Sequence, residues 1–161
     1  MNKNNIIIKV PSVNLRISPY AFYKYANDFF NTANRRKKST TFSPVLYYLY
    51  CHSIELSLKS LLLFLDKNKT IRDIKNNKNY GHNLESILRD TELKSGVALL
   101  NDKDKELIKK ANYFYDKKGF EYYTSEMMAS SLKGYKDLPD IIKLKNICNK
   151  LLKIVSNKID K

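Results

Sequence analysis

Residues that break or bend helices are scarce in this chain, which has 161 residues but only 4 Gly, 4 Pro and no Trp. Sandwiches and barrels of short strands need many turns, which glycine and proline mostly supply, so the composition disfavours those folds. The chain does have 12 Tyr and 7 Phe, and 43% of its residues are hydrophobic. The composition therefore predicts one all-α domain with a real hydrophobic core.

Cysteine and histidine are also rare, with two of each. Cys51 and Cys148 lie far apart and match no metal-binding or redox spacing, so we interpret both as buried thiols. Two histidines and Glu55 would make a minimal catalytic zinc site, but they lack its characteristic local spacing. The sequence predicts no metal and no cofactor.

Long hydrophobic runs without charge are missing as well. The first residues include only a short apolar run and no signal-peptide cleavage site, so we expect a cytoplasmic protein. The stretch from Leu46 to Leu65 is long enough for a membrane span, but His52, Glu55 and Lys59 interrupt it near its middle. Because charges at the bilayer centre are costly, we predict a buried helix and no membrane association.

Positive charge is abundant, with a net charge of +14 at pH 7. Such a charge favours an acidic partner such as a nucleic acid, because basic surfaces attract phosphate. Only 5 of the 30 basic residues are Arg, however, and arginine is the better bidentate phosphate ligand. The densest run is Arg35, Arg36, Lys37 and Lys38, which is either a basic binding patch or the solvated end of a helix.

The pattern of apolar residues predicts an extended arm over residues 1–17 and a single helical domain over residues 18–158. Serine followed by proline marks two helix starts, at Ser18-Pro19 and Ser43-Pro44. Apolar residues at three- and four-residue steps then predict about five helices. The predictions include Tyr25 in the buried stripe of the first helix, Val45 in that of the second, and a start at Pro139 for the last.

The second predicted helix carries an unusual polar line inside an apolar sequence. His52, Glu55 and Lys59 are spaced i, i+3 and i+7, so they lie along one side of the helix. Burying them requires partners, and His82 could reach the same line. One interpretation is structural, with Glu55 holding the turn around His82. The other is a pocket bordered by these residues and Tyr115 or Tyr122, binding a phosphate or nucleotide.

Two sequence segments resemble the HEPN family of helical proteins. The helix contains Tyr50-Cys51-His52-Ser53-Ile54-Glu55-Leu56-Ser57-Leu58-Lys59, similar to the family's His-Ala-Ile-Glu-Leu-x-Leu-Lys helix. The following turn reads Tyr80-Gly81-His82-Asn83-Leu84, similar to its Gly-His-Asx-Leu turn. An aromatic segment and a proline-led last helix extend the resemblance to roughly residues 18–157. It implies a bundle built on a long antiparallel helix pair, frequent homodimerisation, and roles in RNA handling, toxin–antitoxin pairs or phage defence.

Many HEPN proteins are ribonucleases with an Arg-x4–6-His motif, which this chain lacks. The nearest preceding arginines, Arg36 and Arg72, lie 16 and 10 positions before His52 and His82. Lys75 has a permitted spacing to His82, but an ammonium does not clamp phosphate as a guanidinium does. Glu121 also stands where relatives often carry arginine.

We therefore predict a HEPN-like module that binds RNA, a nucleotide or a protein partner in bacterial stress response or phage defence. The alternatives are a divergent ribonuclease toxin with His82, His52 and Lys59 as candidate catalytic residues, and a helical partner of a nucleotidyltransferase encoded nearby. The candidate binding residues are Glu55, Lys59, Lys75, His82, Tyr115 and Tyr122.

Overall fold

The computed structural model describes residues 18–36, 42–66, 73–74, 80–122 and 138–159. These residues form five helices and no strand. The helices are α1 (Pro19–Arg35), α2 (Pro44–Leu65), α3 (Leu84–Ser95), α4 (Asp102–Tyr115) and α5 (Ile141–Ile159). The prediction of an all-α bundle with about five helices is confirmed. The predicted arm over residues 1–17 lies outside the described residues.

Short polar residues and proline mark the helix starts that the sequence predicts. Pro19 and Pro44 occupy the first turns of α1 and α2, where the missing proline N–H costs no helical hydrogen bond. Asn83 caps α3 and Asn101 caps α4, each accepting a backbone N–H three residues on. Gly96 ends α3 in the left-handed region, at φ 70°, which glycine adopts without a steric penalty.

The last helix starts two residues later than predicted. The Asp140 carboxylate accepts the backbone N–H groups of Ile142 and Lys143, at 2.8 and 3.1 Å. Asp140 therefore caps α5. Pro139 lies outside the helix, where its carbonyl accepts the hydroxyl of Tyr47 at 2.9 Å.

Helices α1 and α2 form a long antiparallel pair. The Ser53 hydroxyl donates to the carbonyl of Ala26, and the Ser60 hydroxyl donates to the carbonyl of Pro19, both at 2.6 Å. As residue numbers rise along α2 they fall along α1, which establishes the antiparallel direction. Both serines are buried, so their small side chains allow the two helices to approach closely.

Helix α2 is the centre of the bundle and contacts each of the other four helices. Helix α5 runs parallel to it, because Tyr47 contacts Pro139 and Ser53 contacts Cys148 further along both segments. Helices α3 and α4 pack on α2 and on each other. Buried apolar side chains of α2 and α5, including Ile54, Leu58, Leu144, Ile147 and Leu151, fill the core between them.

Two predicted core residues are on the surface instead. Tyr25 is 61% exposed and Val45 is 49% exposed. Tyr25 precedes Ala26, whose side faces α2, so Tyr25 is turned away from the contact. Val45 lies in the first turn of α2, where no described helix covers it. Among the described residues, no helix is long and apolar enough to cross a membrane.

Candidate functional site

The carboxylate of Glu55 lies at the centre of a buried polar cluster on α2, and Glu55 is 3% exposed. Its Oε1 accepts from Nζ of Lys59 at 2.5 Å. Its Oε2 accepts from the Tyr115 hydroxyl at 2.6 Å and lies 3.1 Å from Nδ1 of His82. These partners come from α2, from α4 and from the turn before α3. A carboxylate with this many donors can stay ionised although it is buried.

His52 joins the cluster through Tyr115. Its Nδ1 lies 2.8 Å from the Tyr115 oxygen but 3.7 Å from Oε2 of Glu55, so the phenol is its hydrogen-bond partner. The phenol has one hydrogen, which it donates to Glu55. The hydrogen in the contact with His52 must therefore belong to Nδ1. We call His52, Glu55, Lys59, His82 and Tyr115 the Glu55 cluster.

Local structure places His82 at the cluster. Lys59 Nζ donates to the carbonyl of Gly81 at 3.1 Å, which ties the turn to α2. On the other side, the backbone N–H of Leu84 donates to Oδ1 of Asn112 at 2.7 Å. Asn112 is on α4, one helical turn before Tyr115. The start of α3 is therefore held between α2 and α4, and His82 is held with it.

The cluster shifts the pKa values of its members in opposite directions. Burial alone would raise the pKa of Glu55, but the neighbouring imidazoles and the Lys59 ammonium outweigh it and hold that pKa well below its usual range. The hydrogen bond and charge of Glu55 raise the pKa of His82 against its partial burial, Glu121 adds to the rise, and Lys59 opposes it. Burial and Glu55 raise the pKa of Tyr115, so its phenol stays protonated.

Both imidazoles are bound by the protein through Nδ1, which leaves both Nε2 atoms without a hydrogen-bond partner in the described part of the chain. The side chains of His52 and His82 are 19% and 31% exposed. Each ring can therefore offer Nε2 to a ligand, as a donor when it is protonated and as an acceptor when it is neutral. Within the described ranges, no three His, Cys, Asp or Glu side chains are grouped to hold a metal ion.

Aromatic rings surround His52, and two of them are not among the site residues that the sequence predicts. Tyr48 stacks on His52 at 5.4 Å between centroids, and Phe29 of α1 meets it edge-on at 4.5 Å. Tyr48 could have been found from its spacing, because it lies one helical turn before His52. Phe29 gave no such signal, because only the tertiary contact of α1 with α2 brings it there.

The other predicted site residues do not join the cluster. Tyr122 is 62% exposed and makes no hydrogen bond or ring contact with it. In the basic run, Arg35 and Arg36 are exposed, and Arg36 Nη1 donates to Ser43 Oγ at 3.4 Å between the ends of α1 and α2. Lys37, Lys38 and Lys75 lie outside the described residues.

Comparison of the chain with models of protein families, with curated proteins and with solved structures finds no match. The inference of function therefore depends on the chemistry of the Glu55 cluster and on the charge of the surrounding surface.

Proposed function

We propose that this chain is a HEPN-like binding module that holds a phosphate group of RNA or of a nucleotide at the Nε2 atoms of His52 and His82. The observation that carries the proposal is the fixed orientation of both imidazoles around one buried carboxylate. Glu55 bonds His82 directly and His52 through Tyr115. The sequence resemblance to HEPN proteins and the net charge of +14 support the same ligand class.

The charge balance of the cluster suits an anionic ligand. Lys59 neutralises Glu55 at 2.5 Å, so protonation of His82 gives the cluster a net positive charge. An imidazolium hydrogen-bonded to a carboxylate by Nδ1 presents Nε2–H to a phosphate oxygen, which is a charge-assisted hydrogen bond. Nζ of Lys59 already donates to Glu55 and to the carbonyl of Gly81. Its role in the proposal is therefore to neutralise Glu55 and not to contact the ligand.

Two substitutions at His82 separate structure from binding. In His82→Asn the side-chain amide replaces the Nδ1 donor to Glu55 and removes Nε2, whereas in His82→Gln the amide lies near the former Nε2. We expect His82→Asn to weaken binding of a fluorescein-labelled oligouridine RNA about tenfold or more, because a hydrogen bond to a charged group is worth about 1.5–3 kcal/mol. His82→Gln should retain more of the affinity and lose more of the folding stability.

Fluorescence anisotropy measures the affinity and urea denaturation measures the free energy of unfolding. Lys24→Gln is the control for the loss of one cation, because Lys24 is exposed on α1 and forms no ion pair with the other residues that the structure describes. Equal affinities for wild type, His82→Asn and His52→Asn would exclude the imidazoles from binding, and the proposal with them.

A second candidate, RNA cleavage, is favoured by the presence of two imidazoles around one carboxylate. A metal-independent ribonuclease needs one group that takes a proton and one that gives a proton, and paired histidines can supply both. Enzymatic activity predicts growth arrest on expression that His82→Ala relieves, whereas a binding module predicts no growth effect from either form. Appearance of cleaved RNA with wild type but not with His82→Asn would favour the enzyme.

The resemblance also implies a homodimer, which we carry as part of the proposal. Light scattering coupled to size-exclusion chromatography distinguishes a mass near 18.9 kDa from twice that value. A monomeric mass at all protein concentrations would contradict the proposed homodimer. It would not affect the proposal that phosphate binds at the imidazoles.

A further inference from the structure

The outward face of α5 carries several positive charges, of which one, on Lys150, is paired with an acid of another described helix, Asp104 of α4. The helix sequence IIKLKNICNKLLKIVSNKI contains five lysines and neither aspartate nor glutamate. Its apolar residues Leu144, Ile147, Leu151 and Val155 are buried against the bundle. The opposite side, exposed to solvent, carries Lys143, Lys145, Lys150 and Lys153. We call these four lysines, with the asparagines between them, the α5 face.

We propose that the α5 face binds the phosphate backbone of an RNA strand, so that the ligand of this module is an RNA polymer rather than a free nucleotide. This inference rests on the proposed function and decides between its two ligand classes.

The lysines of the α5 face are available to a ligand because most have no partner among the described residues. Within those ranges Lys143, Lys145 and Lys153 form no ion pair, and Lys150 forms one of 3.4 Å with Asp104, in which the lysine remains 44% exposed. On α4 the lysines alternate with acids in the run Asp102 to Glu106. The two helices therefore differ in the balance of their surface charge, although both face solvent.

The length of the face fits a polymer. Lys143 and Lys153 are 10 residues apart, which corresponds to roughly 15 Å along a helix. Phosphates along one nucleic acid strand are spaced about 3.4 Å apart in a duplex, so this length faces several phosphates at once. A mononucleotide presents its charge at one point and cannot neutralise lysines distributed over such a distance.

The polar residues between the lysines favour RNA over an anionic membrane. Asn146 and Asn149 are exposed and their side chains form no hydrogen bond with another described residue, so each amide can donate to and accept from phosphate, sugar or base. A helix that binds membranes needs an apolar face free to enter the lipid. In α5 that face is buried, and Ile142, at 67% exposure, is the one large apolar residue of Ile141–Ile159 that is exposed.

A matched pair of triple variants tests the inference. The first is Lys143→Gln, Lys145→Gln, Lys153→Gln on α5. The second is Lys103→Gln, Lys109→Gln, Lys110→Gln on α4, which removes the same charge from exposed lysines that form no ion pair with another described residue. Binding of labelled oligouridine RNA is measured between about 50 and 200 mM KCl, where the slope of log affinity against log salt counts the phosphates neutralised.

For the α5 triple variant we expect the slope to fall in magnitude by about 2, because each phosphate contact to a single strand contributes about 0.7. The α4 triple variant should change the slope by less than half as much. Equal slopes for the two variants would mean that RNA binding depends only on the total charge of the protein. The proposal that RNA binds at the α5 face would then be wrong. Loss of binding to phosphatidylserine vesicles with unchanged RNA binding would assign the face to a membrane instead.

The two proposals fail in different ways. If His82→Asn weakens RNA binding but the α5 triple variant leaves the salt slope unchanged, the imidazole site stands and the α5 face does not. If the α5 triple variant lowers the slope while His82→Asn has no effect, RNA binds through the lysines and the imidazole site is wrong. Wild-type protein that binds uridine monophosphate as tightly as the RNA would also overturn the polymer inference.

Discussion

The Glu55 cluster and the α5 face use positive charge in opposite ways. In the cluster, Lys59 and His82 meet one buried carboxylate, and the side chain of Lys59 is only 12% exposed. On the α5 face, three of four lysines form no ion pair with any acid in the part of the chain that the structure describes. Removing one partner of a buried charge pair destabilises the fold, because the other charge is left buried and uncompensated, whereas an unpaired charge in water adds little to stability and is free for a partner. The two regions should therefore respond differently to substitution, and the following predictions test that difference.

The largest effect is expected from Glu55→Ala. It leaves Lys59 and the imidazoles without their shared acceptor, and breaking a buried ion pair costs about 3–5 kcal/mol. Urea denaturation measures the free energy of unfolding, with Glu106→Ala on the exposed side of α4 as the control, expected within about 0.5 kcal/mol of wild type. A loss from Glu55→Ala no greater than that of the control would show that the cluster does not stabilise the fold.

Tyr115→Phe should cost less than Glu55→Ala. It removes the buried hydrogen bond to the charged acceptor Glu55, worth about 1.5–3 kcal/mol, and the one that the phenol accepts from Nδ1 of His52, worth about 1 kcal/mol. Tyr47→Phe is the matched control, since its buried hydroxyl donates to the neutral carbonyl of Pro139 and is worth about 1 kcal/mol. The same denaturation experiment compares the two variants. If Tyr47→Phe lowers the free energy of unfolding more than Tyr115→Phe does, the charge on Glu55 does not strengthen the hydrogen bond from Tyr115.

The cluster should also make stability depend on pH through His82. Its pKa is raised in the folded state, so its contribution is complete below the ordinary histidine pKa of about 6.5 and is lost as pH rises through the folded pKa. We expect the urea midpoint of wild type to fall over that window and the midpoint of His82→Asn to fall less. NMR titration of the His82 ring provides a direct measurement, and a ring that titrates at or below the ordinary value would contradict the prediction.

The smallest effect on folding is expected for the α5 triple variant. Exposed lysines without ion pairs contribute little to stability, so its free energy of unfolding should stay within about 0.5 kcal/mol of wild type. Thermal denaturation followed by circular dichroism checks this. A large loss in the free energy of unfolding would mean that the α5 lysines stabilise the fold. The α5 face and the Glu55 cluster would then not differ in their contribution to stability.

Helix positions could be predicted from sequence because local chemistry determines them. Ser18-Pro19, Ser43-Pro44 and Gly96 mark ends of helices in the structure as they do in the sequence. The placement of individual side chains depended on which neighbour covers each helix. Periodicity places Tyr25 near the buried stripe of α1, but it cannot show that α2 covers Ala26 and not Tyr25.

The same limit applies to the site. Spacing along one helix brings His52, Glu55 and Lys59 together, and the cost of burying them indicates that partners exist. That Tyr115 stands between His52 and Glu55 could not be predicted, because it depends on how α4 packs against α2. Periodicity along α1 predicts Phe29 in its buried stripe, but the contact of Phe29 with His52 depends on how α1 packs against α2.

The serine hydroxyls that join α2 to α1 determine the position of α1 along the axis of α2. Ser53 and Ser60 reach carbonyls at two levels of α1, Ala26 and Pro19. A slide of α1 by about half a helical turn, about 2.7 Å, would lengthen both hydrogen bonds beyond hydrogen-bond distance at the same time. The two serines therefore hold α1 in register with α2.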